Sequence, residues 1–120
     1  MTLTNEDRFN ILNFLLERVS NISDKEYQKR IWVEGKGPEV DFFEDAVCDF
    51  FQEAEGILEC YDAFGLTKEQ YQALKDFRDK FESFSDKNFF PERFINSPEW
   101  DEITKMAKEV LKVFNYQPKK

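Results

Sequence analysis

The sequence predicts an all-α protein, a single-domain bundle of four main helices plus one short one. Three observations predict it. Apolar side chains recur at helical spacing from end to end. Val/Ile/Thr-rich alternation is nearly missing, and no Asn-Gly or Asp-Gly hairpin turn occurs. Helix-start signals punctuate the chain at intervals suited to short loops. At 120 residues the chain fits one domain, residues 1–120 with a loose tail over 116–120. With 41% hydrophobic residues and 14 Phe, it can fill a core without disulfides or metal staples.

The first helix opens at Thr4, with Asp7 at capping-box spacing. Phe9, Ile11, Leu12, Phe14, Leu15, Leu16 and Val19 wrap most of its circumference, leaving Asn10, Asn13 and Glu17 as a narrow polar edge. A helix apolar nearly all round is expected between neighbours, at the centre of the fold. Ser23 and Glu26 offer a second box, and Tyr27 with Ile31 one face of a short helix; helix is favoured over extended chain through Arg30 to Val33. Gly35-Lys36-Gly37-Pro38 is a turn.

The next helix is expected from about Val40 to Glu59, opened by an Asp41–Glu44 box. Val40, Phe43, Val47, Phe50, Phe51, Ala54, Ile57 and Leu58 share one of its faces, and Phe64-Gly65 marks the exit. Thr67 and Gln70 cap a helix that buries Leu74, Phe77, Phe81 and Phe84. Ser85 to Asn96 is a connection with one helical turn over Pro91 to Ile95. Ser97 as N-cap and Pro98 at the first helical position begin the last helix, whose apolar face is Trp100, Ile103, Met106, Ala107, Val110, Leu111, Val113 and Phe114, ending near Asn115.

Composition removes many activities. The absence of His excludes Ser-His-Asp and Cys-His catalysis, His-ligated zinc and Glu-x-x-His di-iron sites. No calcium-loop motif occurs, and consecutive carboxylates on a straight helix cannot surround one ion. A carboxylate pair acting as in a glycosidase needs a cleft that the sequence does not indicate. No catalytic, cofactor or metal residue is therefore assigned. From its first residues no secretory leader is expected, and no run approaches the ~18 apolar residues of a membrane span. Cys48 and Cys60, the only thiols, are expected to be reduced and resting. The expectation is a non-enzymatic cytoplasmic protein without cofactor.

Charge is the informative feature. The chain carries −8, and between Lys36 and Lys68 there is no base at all. Glu39, Asp41, Glu44, Asp45, Asp49, Glu53, Glu55, Glu59 and Asp62 fall in that gap, while the remaining 16 acids and 17 bases nearly cancel. At about 100° per residue the acids from Asp41 onward lie opposite the apolar face of their helix. Asp41-Asp45-Asp49-Glu53 is an i,i+4 ladder of like charge, each pair of which destabilises a helix by a few tenths of a kcal/mol. Two readings stand side by side: a solvated or internally neutralised surface, and a site for a basic protein. In the second, Asp41, Glu44, Asp45, Asp49 and Glu53 are the centre, Glu39, Glu55, Glu59 and Asp62 the rim, and carboxylates steer encounter. Phe42, Tyr61 and Phe64 are either apolar anchors for that partner or core beneath a loop. Direct nucleic-acid binding is not expected of a chain with a pI near 4.6.

A small, acidic, all-helical domain without catalytic residues resembles the immunity proteins of bacterial toxin systems, colicin-type and contact-dependent growth inhibition systems among them. The stretch Asp41 to Glu55 (DFFEDAVCDFFQEAE) and its flanks carry the resemblance. What it implies is an inhibitor of one toxin domain, a basic nuclease being the natural complement. Two other readings remain. One is a helical adaptor or homo-oligomeric subunit using Phe-rich surface. The other is a bundle holding a small molecule in a pocket lined by Phe, Tyr71, Trp100 and a few carboxylates.

Overall fold

The computed structural model describes residues 4–35 and 43–116. Its elements are α1 (Asn5–Ser23), a short α2 (Lys25–Tyr27) that runs on as a π-helical turn (Gln28–Val33), α3 (Phe43–Glu59), α4 (Lys68–Ser85), a one-turn α5 (Pro91–Phe94) and α6 (Pro98–Val113). Among the described residues there is no strand. The four long helices form a ring in the order α1, α3, α4, α6, each packed against its two neighbours. The predicted start at Val40, its Asp41–Glu44 box, the Lys36-Gly37-Pro38 part of the turn, and residues 117–120 of the tail lie outside the described residues.

Local sequence sets the helix ends. Thr4 and Thr67 each form a full capping box, with Asp7 and Gln70 returning the bond to the cap backbone. Ser97 accepts from the Trp100 N–H at 3.2 Å, and Pro98 occupies the first turn. Two exits use left-handed residues. Gly65 (φ 67°) follows α3, with Leu66 N–H donating to Tyr61 O; Asn115 (φ 55°) follows α6, with Tyr116 N–H donating to Leu111 O. Both are six-to-one closures, the first ending the turn that follows α3 and the second satisfying a terminal carbonyl of α6. Thr67→Ala is expected to cost about 1 kcal/mol, read as a lower urea midpoint at unchanged slope; an unchanged midpoint would mean the box contributes nothing.

The core faces largely follow the predicted ones. Phe43, Ala46, Phe50, Ala54 and Ile57 of α3 are buried, as are Leu74, Phe77, Phe81 and Phe84 of α4 and Trp100, Ile103, Ala107, Val110 and Leu111 of α6. Trp100 is the hub: the rings of Trp32, Phe43, Phe81, Phe84 and Phe94 lie with centroids 4.7–6.3 Å away.

Two expectations are corrected. α1 is not central. A ring of four gives each helix two neighbours, so α1 buries Leu15, Leu16, Val19 and Ile22 and leaves Phe9 (66% exposed) and Phe14 (39%) outside. Nor does Ser23 cap the short helix. Its hydroxyl donates back to Ser20 O, closing α1, and the Asp24 carboxylate accepts the Tyr27 N–H at 3.1 Å instead. The segment that follows is helical but of π type, as the Glu34 N–H to Lys29 O bond shows.

Candidate partner-binding surface

Gln28, Ile31 and Trp32 of the π turn point into the bundle, and Gln28 is fully buried. Its amide N–H₂ donates to Asn21 O (3.0 Å) and Ile22 O (2.7 Å) at the end of α1. Its Oε1 accepts from Trp100 Nε1 at 2.8 Å. A buried amide is tolerable only when satisfied in this way. This junction ties α1, the π turn and α6 together, and beside it Lys25 pairs with Asp101 at 2.8 Å. No sequence signal singled out Gln28, because its partners are two backbone carbonyls and an indole 72 residues away.

α3 sits in the ring with its apolar face inward, so its carboxylates are turned outward and to the flanks. Glu44, Asp45, Glu55, Glu59 and Asp62 are exposed; Asp49 and Glu53 are half-buried at the edge. Glu39, Asp41 and Phe42 lie outside the described residues. The remaining seven acids do not act as one patch. On the α4 side Glu55 pairs with Arg78, whose Nε donates to Glu55 Oε1 at 2.7 Å. Arg78 also reaches Asp79 (2.8 Å) and Glu82 (3.4 Å), and these carboxylates, Asp79 foremost and Glu55 next, raise the guanidinium pKa above its ordinary value.

On the α1 side Asp45 and Asp49 border an open groove of about 1720 Å³. Arg18, Arg30, Lys105, Lys108 and Lys112 line the same groove, and among the described residues its acids and bases balance at six each. The described lining thus carries no net charge, within a chain of charge −8. Glu44, Glu53, Glu59 and Asp62 form no ion pair among the described residues.

The aromatic anchors separate. Phe64 packs against the core, whereas Tyr61 stays exposed, its ring tilted at 51° to that of Tyr71 with centroids 4.8 Å apart. Tyr71 and Trp100 do not line one pocket. Trp100 is enclosed by rings that include Phe81 and Phe84, about 15 Å further along α4 than Tyr71. Cys48 and Cys60 are exposed free thiols. Among the described residues no group of three His, Cys, Asp or Glu side chains is disposed to hold a metal ion, and no helix is long and apolar enough to cross a membrane.

No family model, curated protein or solved structure matches the chain.

The surface thus offers an outward-facing acidic helix with one neutralised edge, and exposed rings elsewhere. Phe89 and Phe90 stand out beside Phe84 and Phe94 in the loop before α5, where the Arg93 guanidinium covers Phe90 at 5.1 Å.

Proposed function

We propose that the protein is a non-catalytic inhibitor of immunity type that binds a basic protein partner, a nuclease toxin domain being the fitting class, through the outward face of α3. The observation that supports this reading is the state of its carboxylates. Of the seven between Glu44 and Asp62 that are described, only Glu55 is ion-paired to a described base. Carboxylates held this way raise the encounter rate of a basic partner and disfavour acidic competitors. Glu44, Asp45, Asp49, Glu53, Glu59 and Asp62 share that role, Asp45 and Asp49 from the side that borders the groove.

The test is capture from native lysate at low and high salt. The intact chain is compared with the triple variant Asp45→Lys, Asp49→Lys, Glu53→Lys. One basic protein is expected to be retained at low salt, weakened at high salt, and lost by the variant at unchanged helix content. Retention of that protein by the variant would sink the proposal. A homo-oligomeric role is favoured by a separate observation, the exposed phenyl groups of α1.

A further inference from the structure

The first helix carries more apolar surface than the ring covers. Phe9 and Phe14 are exposed, and on the helical wheel they flank the polar strip Asn10, Asn13 and Glu17, which faces away from both neighbouring helices. The neighbours bring unlike charge to the two sides of this strip. From α3 come Asp45 and Asp49; from α6 come Lys105, Lys108 and Lys112, spaced to share one helix face. None of the five is in an ion pair among the described residues. The two arginines lining the same groove lie against rings, Arg18 over Phe14 at 4.5 Å and Arg30 over Tyr27 at 6.0 Å.

We propose that this outer face of α1 is the seat of a second copy of the chain, docked about a two-fold axis that runs along α1. Charge complementarity selects that axis. A two-fold along α1 exchanges the α3 side with the α6 side, so Asp45 and Asp49 of each copy meet the lysines of the other. A two-fold across α1 would set carboxylates on carboxylates and lysines on lysines, which disfavours docking. The two α1 helices then run parallel, and the phenyl groups, the exposed apolar part of the face, lose their contact with water. Each copy carries −8, so whole molecules repel at long range. At physiological salt the Debye length of about 8 Å screens that repulsion while contacts between paired side chains persist.

The inference does not rest on the basic-partner reading, although Asp45 and Asp49 serve in both. Purified protein alone tests it, so the two proposals fail separately. The experiment is sedimentation of the full chain over a wide concentration range at physiological salt, with circular dichroism on every variant. The wild type is expected to form a reversible dimer, and Phe9→Ser with Phe14→Ser to weaken it by about tenfold or more. The charge-reversed variants Asp45→Lys/Asp49→Lys and Lys105→Glu/Lys108→Glu/Lys112→Glu are each expected to stay monomeric. Mixed in equal amounts they are expected to dimerise again, because the reversed side chains of each variant then face opposite signs on the other. A wild type that is monomeric throughout overturns the proposal. So do charge variants that self-associate as the wild type does, or a mixture that stays monomeric.

Discussion

Trp100→Ala is expected to be the most damaging single substitution away from glycine and proline positions, at about 3–5 kcal/mol of unfolding free energy. Trp100 is fully buried, and five aromatic rings surround it. Removing the indole leaves a void that rings held by α3, α4, the π turn and α5 cannot fill without moving together. It also strips the Gln28 carbonyl oxygen of its donor. Domains of this size are typically stable by about 5–15 kcal/mol, so the loss is a large share of the total. Urea denaturation followed by far-ultraviolet circular dichroism reads it as a fall in midpoint at similar slope. A loss below about 1 kcal/mol would mean that the aromatic cluster is not the keystone of the core.

Gln28→Leu comes second. It keeps the volume of the side chain but leaves the Trp100 Nε1–H and the Ile22 carbonyl without the amide, while Asn21 O keeps the Asp24 N–H. Orphaned buried groups of this kind cost about 1–3 kcal/mol each, and relaxation or water entry at the edge offsets part of it, giving an expected loss of about 2–3 kcal/mol. The sharper measurement is a double-mutant cycle with Trp100→Phe. Removing the indole N–H as well as its acceptor is expected to cost less than the two single losses combined, because the second change no longer strands a partner. Strict additivity would mean that the Gln28–Trp100 bond contributes nothing to stability.

The scaffold around Trp100 and Gln28 decides what α3 presents. Trp100 meets Phe43 at the first turn of α3, while Gln28 ties the end of α1 to the start of α6. Tyr27, next to Gln28, and Asp101, next to Trp100, line the groove that also holds Asp45 and Asp49. Loss of either anchor is therefore expected to disturb the relation between the α3 carboxylates and the α6 lysines before it disturbs helix content.

Local chemistry determined the helical class, the caps at Thr4, Thr67 and Ser97, the exits at Gly65 and Asn115, and the inward faces of α3, α4 and α6. Each depends on residues within a turn or two of one another, so spacing alone reports it. Asp24 took the cap expected of Ser23 because both are competent one residue apart, and the hydroxyl closed α1 instead. Tertiary structure alone decided the rest. The apolar circumference of α1 records only that its residues are hydrophobic; the number of neighbours in the ring decides how much of it is buried. The base-free stretch from α3 onward records a local surplus of charge. Which carboxylates keep it depends on Arg78 from α4 and the lysines of α6, which reach α3 and its groove only when the helices close. Burial and charge pairing are properties of neighbours in space, and the neighbours that matter here are far apart in the chain.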